Sequence, residues 1–159
     1  PLANPALVKK QLVGVFSEAW VEPIANVLKG LGSERAWVVH GSDGLDEITT
    51  TGVTKVAALD KGSVSTFTIH PEDANLELVS PKQLKGGLPK QNAIALENLL
   101  KGEKGPYRDI VLFNSAAAFI IAGKVNNLKE GVELAAEMID TGQAKQKFDQ
   151  LVSITAHTG

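Results

Sequence analysis

The segment at residues 40–47, HGSDGLDE, combines the groups from which a cation site could be built: three carboxylates and two glycines. Asp46 and Glu47 are adjacent, and Mg²⁺ is typically bound by one or two carboxylates together with water and substrate phosphate oxygens. Gly41 and Gly44 would let the backbone turn tightly and approach a ligand closely. Taken alone, however, these eight residues favour an ordinary acidic turn exposed to solvent.

Other polar residues indicate structure rather than chemistry. His40 could be a base or a ligand, but a hydrogen-bonded histidine at a strand end is the better interpretation. No second histidine lies at a ligand spacing, which argues against zinc. In FNSAAAF, Asn114 is expected to cap a helix, and no partnered base marks Ser115 as a nucleophile. The sequence therefore predicts no catalytic residue.

Composition limits the function classes. The chain has 159 residues, with 16 Lys and Arg against 18 Asp and Glu, so no basic excess points to nucleic acid. The absence of cysteine excludes disulfides and thiolate metal sites. The longest apolar run, near residues 116–123, is much shorter than the ~20 residues of a membrane span. With no signal-peptide pattern either, we expect a cytoplasmic protein without a membrane partner.

Hydrophobic periodicity and turn residues predict alternating helices and strands. Asn4-Pro5 is the predicted start of the first helix, and Ser17 is the predicted cap of the second. The predicted helices cover residues 6–13, 17–29, 91–100, 116–123, 128–139 and 143–151. The predicted strands cover residues 36–40, 53–59 and 65–70, with a hairpin turn at Lys61-Gly62. This order predicts an α/β layer fold whose sheet is incomplete in this chain. The acidic segment follows a buried strand, where α/β proteins usually bind ligands.

Four longer segments carry a resemblance to a known family. They are PLANPALVKKQLVGVFS at residues 1–17, LGSERAWVVHGSDGLDEIT at 31–49, FNSAAAFIIAGK at 113–124 and LKEGVELAAEMIDTGQA at 128–144. Together they resemble the anthranilate phosphoribosyltransferase family over essentially the whole chain. The HGxDGLDE pattern is rather specific to that family. The resemblance implies the large α/β domain of the nucleoside phosphorylase and phosphoribosyltransferase type of fold.

The resemblance also implies a site. Asp46 and Glu47 match the acidic pair that holds a Mg²⁺ ion engaged with 5-phosphoribosyl 1-diphosphate, so the magnesium interpretation becomes the favoured one for the intact enzyme. Pro1 matches a proline that lines the path of anthranilate. Asp43 matches a motif position to which we assign no ligand role. The implied reaction transfers the phosphoribosyl group to the amine of anthranilate and releases diphosphate, a step of tryptophan biosynthesis.

The family's other motifs do not occur in this sequence: the Gly-Thr-Gly-Gly-Asp loop, the Lys-His-Gly-Asn segment and an arginine that contacts anthranilate. We therefore interpret residues 1–159 as the C-terminal part of a single α/β phosphoribosyltransferase domain whose N-terminal half is missing. Alone, this chain is expected to be inactive. The intact enzyme is expected to be a homodimer that acts on small molecules.

Two alternatives stay open at the level of sequence. One is a binding or structural module that kept the fold without the chemistry. The adjacent Asp46 and Glu47 argue against it, because neighbouring carboxylates repel and nothing structural obviously requires both. The other is a related pyrimidine nucleoside phosphorylase, which would use phosphate; the HGSDGLDE segment disfavours it.

Overall fold

The computed structural model describes residue 2 and residues 6–156, and it confirms the α/β class. The strands are β1 Lys10–Gly14, β2 Arg35–Gly41, β3 Thr54–Asp60 and β4 Ser63–Ile69. The α-helices are α1 Val21–Gly30, α2 Pro89–Leu100, α3 Pro106–Ala122, α4 Leu128–Asp140 and α5 Gln143–Ala156. Short 3₁₀ turns lie at Glu18–Trp20, Pro71–Ala74 and Pro81–Gln83. Among the described residues, no helix has both the length and the apolar character needed to cross a membrane.

The sheet is mixed, with strand order β1-β2-β3-β4. β1 pairs in parallel with β2, with Val13 opposite Val38, and α1 forms the crossover between them. β2, β3 and β4 pair antiparallel. The predicted hairpin turn is confirmed, because Lys61 and Gly62 join β3 to β4 with φ of 47° and 77°. A two-residue turn in which both residues have positive φ matches the right-handed twist of the strands that flank it.

Successive residues of β2 supply two hydrophobic cores, because side chains alternate across a sheet. Val38 packs on one face in a cluster with Val21 and Leu28, which come from α1. Val39 packs on the other face in a cluster with Phe113 of α3. The sheet therefore lies between α1 on one side and α3 on the other. α4 packs against α3, and its Leu128 joins the cluster that contains Val39.

The helix predicted at residues 6–13 is wrong, since β1 occupies Lys10–Gly14. Asn4 and Pro5, which suggested its start, lie outside the described residues. The strand state of β1 comes from main-chain pairing with β2 and from burial of Val13, both of which outweigh local preference.

The start predicted for the helix at residues 116–123 is also wrong. α3 begins at Pro106, a favourable first helical residue, directly after Gly105 with φ of 139°. Asn114 is therefore interior to α3 and is not its cap. The predicted cap at Ser17 is wrong as well, because its hydroxyl makes no capping hydrogen bond at the 3₁₀ turn that precedes α1. The other predicted helices and strands are confirmed with shifted ends.

A buried cation fixes the start of α3 to the end of α4. Arg108 is 3% exposed, and its guanidinium donates to both carboxylate oxygens of Asp140, at 2.8 and 2.9 Å. Lys104 donates to the same carboxylate at 3.2 Å. The hydrogen bonds from Arg108, and then that from Lys104, hold the pKa of Asp140 below its ordinary value of 3.8.

We expect Asp140→Asn to destabilise the fold, because Arg108 would remain buried without its counter-charge. Since the folded pKa of Asp140 is depressed, its ionised form contributes stability above pH 3.8, and this contribution disappears as the pH falls below that value. Urea unfolding at neutral pH should show a lower midpoint for the variant, and the difference should shrink at about pH 3. Lys104→Met, which removes an exposed partner, is the control and should change the midpoint little. An equal loss at both pH values would contradict the assignment.

Candidate active site

The acidic loop turns tightly at the carboxyl end of β2. The amide of Gly41 donates to the carbonyl of Leu45 at 2.9 Å, and the amide of Gly44 donates to the carbonyl of Gly41 at 2.9 Å. Gly44 has φ of 92°, a conformation that favours glycine. The sequence-based placement of a compact loop after a buried strand is therefore confirmed.

Asp43 holds this loop together. One of its carboxylate oxygens accepts hydrogen bonds from the hydroxyls of Thr49 and Thr51, each at 2.6 Å. The other accepts from the amide of Leu45 at 3.2 Å. Partial burial alone would raise the pKa of Asp43, but these hydrogen bonds outweigh it and leave the pKa below its usual value. Asp43 is thus ionised at neutral pH and already engaged by its own loop.

Asp46 and Glu47 are placed differently. Both are exposed, and both line one cleft of about 450 Å³ between the loop, the end of β1 and the N-terminal half of α3. Tyr107 and Ser115 of α3 line the same cleft. In the described part of the chain, no hydrogen bond or ion pair engages either carboxylate. The structure thus brings together the two predicted ligands with their oxygens available.

This pair of carboxylates is compatible with a Mg²⁺ ion. Within residues 6–156, no group of three His, Cys, Asp or Glu side chains could enclose a metal ion. Mg²⁺ commonly needs only one or two carboxylates, because it keeps waters and substrate oxygens in its coordination sphere. A structural zinc site would need four protein ligands. Asp46 and Glu47 are therefore suited to half of a magnesium site.

Gly14, the last residue of β1, lies against the loop backbone. A methyl group at this position would overlap the main-chain carbonyl of Asp46. The loop can therefore cross the end of β1 only because residue 14 has no side chain. Sequence reasoning missed Gly14, because it placed residues 6–13 in a helix and the contact joins residues that are far apart in the chain.

Asn114 is the second residue that sequence reasoning missed. Its amide accepts a hydrogen bond from the Ile48 amide at 3.0 Å and donates to the Ile48 carbonyl at 2.8 Å. It also donates to the carbonyl of Ile110 at 3.0 Å, one helical turn earlier. A polar amide within an apolar helix was the available signal, since such residues usually satisfy a specific partner when buried.

His40, Ser115 and Pro1 were the other residues considered from the sequence. The Nδ1 atom of His40 donates to the carbonyl of Val15 at 2.8 Å, which confirms the interpretation as a hydrogen-bonded histidine at a strand end. Ser115 lines the cleft but was not predicted as a nucleophile. Pro1, the predicted anthranilate contact, lies outside the described residues.

We expect Gly14→Ala to destabilise the protein by about 1–3 kcal/mol, the usual cost of overpacking a filled site. The added methyl group must push the Asp46 carbonyl away or bend β1. Gly30→Ala is the matched control, since no atom lies within 4 Å of the position its methyl would take. Thermal or urea unfolding should show a loss for Gly14→Ala alone. Equal stabilities of the two variants would contradict the close contact.

Comparison with known proteins gives the family. Residues 1–145 match the glycosyl transferase family, a/b domain. Anthranilate phosphoribosyltransferase of Parvibaculum lavamentivorans is 59% identical over 155 residues, which cover 98% of this chain and 46% of that protein. The same enzyme of Azorhizobium caulinodans is 55% identical over 155 residues, covering 98% and 45%. The chain thus spans a little under half the length of these relatives.

Solved structures agree with this result. The anthranilate phosphoribosyltransferase of Thermus thermophilus superimposes with a TM-score of 0.87 at 40% identity, covering 96% of this chain and 45% of that one. The Saccharomyces cerevisiae enzyme, solved in complex with PRPP and Mg, gives a TM-score of 0.83 at 29% identity, covering 91% and 42%. The fold predicted from the sequence resemblance is therefore confirmed.

Proposed function

We propose that this chain, which belongs to the glycosyl transferase family of α/β domains, is part of an enzyme that transfers the phosphoribosyl group of 5-phosphoribosyl 1-diphosphate to the amine of anthranilate. This is a step of tryptophan biosynthesis. The observation that carries the proposal is the pair Asp46 and Glu47, exposed together in the cleft beyond β2. The names of the relatives support the choice of substrates, and the yeast complex with PRPP and Mg supports the choice of metal.

In this proposal Asp46 and Glu47 hold a Mg²⁺ ion through their carboxylate oxygens. A bound Mg²⁺ ion would supply Lewis-acid stabilisation of charge on diphosphate oxygens. The two side chains need not move a proton. Their role would be to hold the ion in the cleft, while Asp43 keeps the loop folded through its hydrogen bonds to Thr49 and Thr51.

The reaction joins the anthranilate nitrogen to the anomeric carbon and breaks the bond from that carbon to the diphosphate oxygen. Negative charge therefore grows on the leaving diphosphate, and electrostatic stabilisation there lowers the barrier. The amine is a modest nucleophile, so correct placement of the two substrates should supply much of the rate. We assign no residue of this chain as a general acid or base.

We further propose that residues 1–159 form the C-terminal part of a single α/β domain. β1 is an outer strand of the described sheet, and its second edge could accept a strand from the rest of a longer protein. The phosphate-binding motifs of the family would come from that rest, so this chain alone is expected to be inactive. The contact of Pro1 with anthranilate, the homodimer and the cytoplasmic location stay predictions.

We expect Asp46→Asn combined with Glu47→Gln, made in the full-length enzyme, to lower the rate and raise the Mg²⁺ concentration needed for half-maximal activity. A loss of about 10–100-fold is typical even when groups outside the ligand set are removed, so removing the ligands should cost at least that much. Diphosphate release from 5-phosphoribosyl 1-diphosphate and anthranilate, followed across a Mg²⁺ titration, measures both effects.

The matched control is Glu72→Gln with Asp73→Asn, a second adjacent acidic pair that lies in the 3₁₀ turn after β4, away from the cleft. It should leave the Mg²⁺ requirement unchanged. A Mg²⁺ requirement unchanged in the Asp46 and Glu47 variant would refute the metal assignment. Turnover of a pyrimidine nucleoside with phosphate, without any activity on anthranilate, would instead favour the phosphorylase alternative.

A further inference from the structure

The side chain of Asn114 holds both main-chain groups of the residue that follows the acidic pair. The Ile48 amide donates to Oδ1 at 3.0 Å, and Nδ2 donates to the Ile48 carbonyl at 2.8 Å. Nδ2 also donates to the Ile110 carbonyl, at an N···O distance of 3.0 Å. The amide therefore uses both of its donors and its acceptor, which leaves it one orientation.

Ile48 is held on its other side as well. Its side chain is fully buried and belongs to the same core cluster as Phe113, the residue before Asn114. The Ile48 amide nitrogen belongs to the peptide unit that contains the Glu47 carbonyl, so the hydrogen bond to Asn114 fixes the plane of that unit. The peptide unit between the two acids is held as well, because its carbonyl, that of Asp46, rests against Gly14. The peptide units on both sides of Glu47 are thus held, and the Leu45 carbonyl that precedes Asp46 accepts from the Gly41 amide at 2.9 Å.

We propose that Asn114 is a positioning residue for the metal-binding pair: it fixes the Glu47–Ile48 peptide so that the two carboxylates face one ion. This inference rests on the proposed function. Adjacent carboxylates repel each other, and a freely rotating backbone would let them turn apart. Asn114 lines the same cleft, so its hydrogen bonds act where the ion would be bound.

The test uses Asn114→Leu in the full-length enzyme, a change of similar volume that removes all three hydrogen bonds. We expect the Mg²⁺ concentration for half-maximal activity to rise about tenfold, the lower end of the effect of residues that orient metal ligands. We also expect faster amide hydrogen exchange in residues 45–49 of the metal-free enzyme, a readout that is independent of turnover. The midpoint of thermal unfolding is recorded in parallel.

The chain offers a matched control at Asn92. Its side-chain amide accepts from the main-chain amide of Gly87 at 2.8 Å and donates to the Gly87 carbonyl at 3.1 Å. Asn92 thus binds both main-chain groups of one residue, as Asn114 does. Neither residue lines the cleft. Asn92→Leu should speed hydrogen exchange around Gly87 and leave the Mg²⁺ requirement unchanged.

Two outcomes would overturn the inference. The first is that Asn114→Leu changes the Mg²⁺ requirement no more than Asn92→Leu does. The second is that residues 45–49 exchange at the wild-type rate in the Asn114 variant. If Asn114→Leu does not fold, Asn114→Ser replaces it, and its Mg²⁺ requirement and hydrogen exchange are compared in the same way. If the Asp46 and Glu47 variant shifts the Mg²⁺ requirement but the Asn114 variants do not, the positioning role fails and the proposed function stands.

Discussion

The close approach between the end of β1 and the loop after β2 governs the rest of the site. Parallel pairing places the carboxyl ends of β1 and β2 at the same edge of the sheet, and the loop that leaves β2 passes over the end of β1. It can do so only because Gly14 has no side chain where the Asp46 carbonyl lies. Asp46 and Glu47 line the cleft between this loop and α3.

Local sequence patterns predicted the elements whose cause is local. The β3–β4 hairpin follows from its two-residue turn, and α4 follows from its apolar periodicity. The structure adds that Asn127 caps α4 by accepting from the Glu130 amide. β1 could not be predicted in this way. Its five residues form a strand because they pair with β2, which starts more than 20 residues later in the chain. Long-range pairing decided its state against local preference.

The same distinction divides the candidate site. The acidic pair was visible because its members are adjacent and embedded in a specific pattern. Gly14 and Asn114 were not, because each acts on a residue distant in sequence; Asn114 and Ile48 are 66 positions apart. Asn114 was also compatible with a helix cap, and only the actual start of α3 at Pro106 makes it an interior residue. Its role depends on where the helix begins, which sequence patterns locate poorly.

The three acids of the loop have the same charge but different surroundings. Asp43 stabilises the loop, whereas Asp46 and Glu47 are left without hydrogen-bond partners among the described residues. The carboxylate of Asp43 accepts hydrogen bonds from Thr49, Thr51 and Leu45, so it is ionised, fixed and poorly available to an ion. The carboxylates of Asp46 and Glu47 stay in water, where an unpaired charge costs the fold little. Their backbone, in contrast, is held by two uncharged groups: Gly14, which lies against the Asp46 carbonyl, and the side-chain amide of Asn114, which binds Ile48. Neutral groups therefore hold the backbone of the two acids, and the repulsion between their solvated charges is not buried.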